Sequence, residues 1–412
     1  MFEAFVSRSE ALGRLRSKPA GQYLEDFAED LACSGYSQET GQGLLWVAWH
    51  VTSWAQTKGL AITVLDDLAL ERFRLHLASC NCVRPNGGKG ERARSGSSLF
   101  LRFLRRSGVV SAQEDSVPGF PPLVQAFRDW MVLHRGVADS TLRHYAELVE
   151  TLLAELGEDA NRFQAQRLRG FVLDYSRKHH ITTTKYMVTA IRMFLRFLVA
   201  EGKCAAGLEH AIPTFANWRL STLPRYLSAS GVEQVVEACD DSTELGARDR
   251  AIILLLSRLG LRSGDILGLR LSDIDWVNGH LVVSGKSNRE TYLPLTQEVG
   301  DALLTYLTCR PAVDTDKVFL RVTAPIRPLA GPQSVAAIVR SALRRAGLKA
   351  PTQGAHLLRH SAATEMLRQG VSLQDIQSVL RHRSIETTTI YAKVDVRLLK
   401  PIAQPWPEVS SC

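Results

Sequence analysis

Apolar residues recur at helical spacing along most of the chain, and they do so twice in the same order. YLEDFAEDLACSGYSQETGQGLLWVAWHVTSWAQTKGL and LVQAFRDWMVLHRGVADSTLRHYAELVETLLAELGED each begin with an amphipathic helix and pass a glycine. Each then reaches a Ser/Thr-rich cap, at Ser37 to Thr40 or at Ser140 and Thr141, and opens a second helix. Farther on, ALERFRLHLAS answers AQRLRGFVLDYSRK. The pentapeptide FLRFL follows in both, as Phe100 to Leu104 and as Phe194 to Leu198. In the second copy Phe194, Leu195, Phe197 and Leu198 form an apolar stripe, with Arg192 and Arg196 as polar members, which predicts the core of a helix bundle.

The pattern predicts a duplicated helical domain, over residues 1–112 and 118–205. From Thr40 to Phe100 is 60 residues and from Thr141 to Phe194 is 53, so the first copy is seven longer. That excess falls in VRPNGGKGERARSG, Val83 to Gly96. Gly87, Gly88 and Gly90 there predict a surface loop, and Arg84, Lys89, Arg92 and Arg94 suit it to touch phosphate.

After a linker over 206–224, broken by Pro213 and Pro224, a second kind of domain is expected over 225–400, with a Pro-rich tail at 401–412. SGVEQVVEACDD reads as a short helix, and ARDRAIILLLSRLGLRSGDILGLRLSDIDW as a buried helix, a glycine turn and another helix. The period then changes. HLVVSGKSNRETYLPL alternates and breaks at Gly285 to Arg289, which predicts a β-hairpin carrying Lys286 in or beside its turn. The rest returns to helices, ending near Leu399. The fold class is therefore mainly α with a small antiparallel β-sheet in the last large domain (α+β).

Composition narrows the partners. Fifty Lys and Arg against 42 Asp and Glu leave a formal charge of +8 and a pI near 9.2, an excess that suits nucleic acid. No apolar run of about 18 residues is present, and MFEAFVSRSEALGRLRSK lacks a secretory pattern, so a cytoplasmic protein without a membrane is expected. The seven cysteines are odd in number and scattered, which predicts reduced thiols. His76, Cys80 and Cys82 lie close together, but a fourth ligand at suitable spacing is missing, so a plain helix end is expected and no metal is assigned.

Chemistry enters at GLRSGD, where Arg262 precedes Asp265 by three residues, a spacing that alone describes a surface ion pair. GAHLLRHSAATEMLRQG places His356 and Arg359 on one helix face, and VSLQDIQSVLRHRSIETTTIYAK sets His382 nine residues before Tyr391.

Taken in order, Arg262, Lys286, His356-Leu-Leu-Arg359, His382 and Tyr391 resemble the catalytic signature of the tyrosine recombinase (phage integrase) family. The contexts LRHSAAT and TTTIYAK strengthen the likeness. It covers roughly residues 225–395 as the catalytic domain and, more loosely, 118–205 as the family's SAM-like helical core-binding domain. Residues 1–112 go beyond the family's common two-domain plan. Where the family usually has glycine before the histidine matched by His382, this chain has Arg381.

The resemblance implies transesterification at a DNA phosphodiester. A tyrosine hydroxyl has a pKa near ~10 and needs activation before it attacks. Arg262 and Arg359 would grip the non-bridging oxygens, and Lys286 would protonate the departing 5′-oxygen. His356 would act as acid or base toward Tyr391, His382 would hydrogen-bond the phosphate, and Asp265 would orient its neighbours. The product would be a 3′-phosphotyrosyl link, with no cofactor or metal required. P-loop patterns and a two-metal carboxylate cluster are absent from the sequence.

Expected partners are double-stranded DNA recombination sites, three further copies of the chain in a tetramer on DNA, and accessory recombinases or directionality factors. Arg143, Lys185, Arg192, Arg219, Arg225 and Arg289 are candidate phosphate contacts. The tail after Tyr391, with Leu398, Leu399, Ile402 and Trp406, would dock into a neighbouring protomer by family behaviour. The extra N-terminal domain favours integration or transposition of a mobile element. Resolution of plasmid or chromosome dimers, a type IB topoisomerase, a DNA-binding protein without catalysis and a helical scaffold are the alternatives.

Overall fold

A computed structural model describes residues 2–6, 13, 15, 21–80, 91–111, 120–137, 139–216, 223–284 and 290–394. The chain divides into two compact units, one of residues 112–219 and the other of residues 1–111 with 220–412. The first helical set thus shares a unit with the C-terminal part of the chain.

That set comprises α1 (Gly21–Cys33), α2 (Gln38–Thr57), α3 (Asp67–Ser79) and α4 (Glu91–Arg106). Gly35, at φ +74°, turns the chain after α1. The Ser37 side chain then caps α2 by accepting the Thr40 N–H, and Asp66 caps α3 by accepting the Ala69 N–H at 2.6 Å. Phe27 of α1 meets Phe100 edge-on at 5.1 Å and Phe103 at 5.2 Å. Arg92, Arg94 and Gly96, expected in a loop, belong to α4. The physical reason lies at Gly96, where a Cβ would stand 3.1 Å from Val47 Cγ1 and 3.2 Å from Leu44 Cδ2. Lacking one, the glycine lets α4 press closely on α2. Arg84 and Lys89 lie outside the described residues.

The unit of residues 112–219 repeats this order with α5 (Pro122–Arg135), α6 (Asp139–Leu156), α7 (Ala165–Lys178) and α8 (Ile181–Ala200). Gly136, at φ +55°, closes α5, and Phe127 takes the place of Phe27 by meeting Phe194 edge-on at 5.4 Å and Phe197 at 5.8 Å. In both sets a short 3₁₀ turn, Ile62–Val64 or Ala160–Arg162, precedes the third helix. The apolar residues of both FLRFL copies are buried while Arg102 and Arg196 stay exposed, so the pentapeptide is core stripe in each.

Residues 223–394 carry α9 (Ala229–Glu237), α10 (Glu244–Ser257), α11 (Ser263–Gly268), α12 (Gln297–Cys309), α13 (Pro332–Arg345), α14 (Ala355–Arg368) and α15 (Leu373–Leu380). The central α10 buries Ile252 to Leu256 completely, which explains its unbroken apolar run. The sheet is antiparallel in the order β1 (Ile274–Asp275), β2 (His280–Ser284), β3 (Glu290–Pro294), with His280 opposite Pro294 and Ser284 opposite Glu290. Lys286 and Arg289 fall between the paired strands in sequence and lie outside the described residues. Ile274 of β1 pairs with Leu281. This part receives the first helical set at Ser34, whose carbonyl accepts the Ile326 N–H at 2.9 Å. No helix among the described residues is long and apolar enough to cross a membrane.

Candidate active site

The site is organised by the C-terminal end of α15. After the buried α10, Gly260 at φ +60° turns the chain so that Arg262 stands at the start of α11. A Cβ on Gly260 would lie 2.6 Å from Leu380 Cδ2, so the close approach of α15 also requires glycine there. Arg262 Nη2 donates to the carbonyls of Leu380 at 3.1 Å and Arg381 at 2.8 Å. Arg359, from α14 and 3% exposed, donates to Gly260 O and to the same Leu380 carbonyl. Two guanidinium groups thus converge on one carbonyl at the negative end of a helix, which offsets part of their mutual repulsion. Burial, and then the Arg262 charge, push the Arg359 pKa down to about 9, still charged at neutral pH.

His382 follows directly. Its Nδ1 lies 2.8 Å from the hydroxyl of fully buried Thr388, which orients the ring and leaves Nε2 for another partner. Burial first, then Arg359 and Arg262, lower its pKa to about 4, so the ring is neutral at pH 7. Thr388, from the polar run before the tyrosine, also accepts the Tyr391 N–H through its carbonyl at 3.0 Å.

Tyr391 is 1% exposed and packs in a small cluster with Ala363, Leu367, Ile376 and Leu380. Its hydroxyl sits 2.7 Å from His360 Nδ1. Burial pushes the phenol up to about 12, against the opposing pull of Arg359. His356 is the residue expected at this hydroxyl as acid or base; the one that lies there is His360, one helical turn along α14. The ring centroids of the two histidines are 6.1 Å apart. Burial first, then His356 and Arg359, lower the pKa of the half-buried His360 to about 4, so its ring is neutral at pH 7. His356 has an edge open to solvent, yet the protein that displaces water around it, then Arg359 and Arg262, lower its pKa too.

Asp265 and Arg381 complete the frame. Asp265 Oδ2 accepts the Arg262 backbone N–H at 2.7 Å and pairs with the Arg381 guanidinium, both side chains 8% exposed. Arg381 occupies the left-handed region at φ +54°, the conformation that glycine adopts at no steric cost. We expect Arg381→Gly to be about 1 kcal/mol more stable than Arg381→Ala, because both lose the ion pair and only alanine keeps the backbone strain. Urea denaturation of the two variants, with equal midpoints as the refuting result, checks this.

The proposed phosphate contacts are dispersed. Arg143 is exposed and reaches Asp139 at 3.5 Å, and Lys185 is half-buried on α8. Arg192 is turned inward, donating to Ile212 O and Thr214 Oγ1 at 2.9 Å each, so it braces the segment after α8. The exposed Arg225 meets Pro351 O at 3.4 Å. Arg219 and the tail residues Leu398, Leu399, Ile402 and Trp406 lie outside the described residues.

Residues 225–397 match the phage integrase family, and residues 124–202 match the phage integrase N-terminal SAM-like domain. The protein y4rA of Sinorhizobium fredii, named as an integrase/recombinase, is 36% identical over 98% of both chains. The tyrosine recombinase XerC of Lactobacillus delbrueckii subsp. bulgaricus is 32% identical over 56% of this chain and 78% of its own. Among solved structures, XerH bound to difH substrate after cleavage matches with a TM-score of 0.55 and 20% identity, covering 90% of this chain and 97% of that one. The Tn1549 transposon integrase with transposon right-end DNA matches with a TM-score of 0.54 and 15% identity, over 68% and 98%. At these identities the two structures speak for the fold.

Proposed function

Because the chain belongs to the tyrosine recombinase (phage integrase) family, enzymes that cleave and rejoin DNA through a tyrosine intermediate, we propose that it is the site-specific recombinase of a mobile element and forms a 3′-phosphotyrosyl link through Tyr391. The observation that carries this reading is the convergence of Arg262 and Arg359 on the Leu380 carbonyl, beside a tyrosine whose hydroxyl meets a neutral imidazole.

In the reaction Tyr391 Oη forms a bond to phosphorus and the bond from phosphorus to the 5′-oxygen breaks. The phenolic proton passes to His360, and Lys286 supplies a proton to the leaving 5′-oxygen. Arg262, Arg359 and the Nε2–H of His382 hold the charge that builds on the non-bridging oxygens. With a pKa near 12 in its buried seat, Tyr391 must lose its proton in concert with attack or move toward the arginines first. Energy of the broken diester is kept in the new one, so a second 5′-hydroxyl reverses the step. His356 lies at the outer edge of the site and serves the proton relay from there.

A mobile-element role is supported by the full-length likeness to a chain named as an integrase/recombinase. Double-stranded recombination sites are the substrate, held through salt-sensitive phosphate contacts that include Arg143 and Arg225. Four copies assemble on two sites, with accessory factors setting direction. The test is covalent trapping without added metal, on nicked duplexes spanning the ends of the genetic element and on dimer-resolution sites. A denaturing-gel adduct at the 3′-phosphate of an element end is the expected result. Duplexes that bind at element ends without giving any adduct would refute the chemistry, and adducts confined to dimer-resolution sites would refute the biological role.

A further inference from the structure

The first helical set contains a cluster that recombination does not use. His76 and Cys80 are four residues apart at the end of α3, and the Cys80 N–H closes the helix onto the His76 carbonyl at 3.0 Å. That spacing puts both side chains on one face. His50, from the middle of α2, supplies the donor that the spacing along the chain lacks. One ligand atom from each of His50, His76 and Cys80 lies within 4.8 Å of the others. We propose that these three residues form a zinc site that clamps α2 to the end of α3.

The donor set selects the metal. Two imidazole nitrogens and one thiolate suit zinc, whereas magnesium and calcium prefer oxygen. In a tetrahedral zinc site, nitrogen and sulfur ligands stand roughly 3.5 Å apart, given metal bonds of about 2.0–2.3 Å. His50 Nε2 and Cys80 Sγ are 3.9 Å apart, at the outer limit of a hydrogen bond to sulfur but within a few tenths of an ångström of two ligands on one ion. The other pairs lie within 4.8 Å and close by rotation of the half-buried His76 and Cys80 side chains.

The surroundings hold His50 in place. His50 is only 9% exposed and packs edge-on against Phe73 at 5.1 Å and against the His76 ring at 5.4 Å. Trp54 lies 5.6 Å from Phe73 and 6.4 Å from His76. An aromatic wall of this kind limits solvent access on the His50 side and orients the ligand it holds. Three protein donors leave the fourth position to water. Cys82, the third member of the sequence cluster, lies outside the described residues.

The experiment uses the full-length protein, purified without chelator and analysed for metal, then stripped and refilled with cobalt(II). About one zinc per chain is expected, together with a thiolate-to-cobalt charge-transfer band. Stripping lowers the melting temperature, and zinc restores it. Cys80→Ser and His76→Gln each lower the zinc content roughly tenfold or more, while Cys33→Ser, on α1, leaves it unchanged. A wild-type chain with trace zinc and no thiolate band after cobalt addition overturns the proposal, and so does a band that survives Cys80→Ser. The wild-type spectrum decides even if a variant fails to fold.

Discussion

Tyr391→Phe is expected to bind the same DNA as the wild type and to give no covalent adduct, a loss of at least about 10³-fold in strand cleavage. The substitution changes little else. The ring sits among Ala363, Leu367, Ile376 and Leu380, and phenylalanine fills that seat without a cavity. What disappears is the hydroxyl and its contact with His360 Nδ1. Losing that neutral hydrogen bond costs about 1 kcal/mol, so the urea midpoint moves little while chemistry stops. Gel trapping and a urea titration on the same preparation separate the two effects. Residual adduct in the phenylalanine variant would mean that another side chain attacks, and a collapse of the folded state would mean that the hydroxyl is a structural anchor.

Much of this arrangement is written in local patterns. Both FLRFL segments announce a core stripe, because four large apolar residues on one helix face have to be covered. Ser37 and Asp66 cap helices as Ser/Asp before an apolar run should. Arg262, Arg359, His382 and Tyr391 were visible as ordered residue types, although the sequence has nothing to say about the shared Leu380 carbonyl that gathers the two arginines. His360 escaped because it follows Arg359 within an ordinary helix, where a histidine at a half-buried position has no distinguishing period. Only the packing of Tyr391 against α14 brings His360 to the hydroxyl. Arg92 and Arg94 read as loop because Gly87, Gly88 and Gly90 stand just before them, whereas the helix opens at Glu91 and Gly96 within it serves close helix contact. The two-residue β1 is too short to show alternation, and His50 is separated from His76 by a whole helix boundary.

Acid should unfold this protein earlier than its carboxylates alone would. His360 and His382 both have pKa values lowered to about 4 in the folded chain, by burial first and neighbouring positive charge second. The unfolded chain titrates near ~6.5, so between about pH 6.5 and 4 it binds protons that the native state refuses. Their contribution is therefore complete above pH ~6.5 and is lost as pH falls toward 4. Allowing for partial exposure and for coupling between the rings, the loss comes to about 2–5 kcal/mol. His356 is shifted in the same direction and adds to it. The window from pH 6.5 to 5 lies above the ordinary carboxylate range, so a declining urea midpoint there reports the histidines. His360→Gln should flatten the decline, and a wild-type midpoint constant across that window would refute the assignment. The same protonation reaches the chemistry. Once His360 carries two N–H groups it can no longer accept the Tyr391 proton, so adduct yield should fall with pH in the variants and conditions that leave the fold intact.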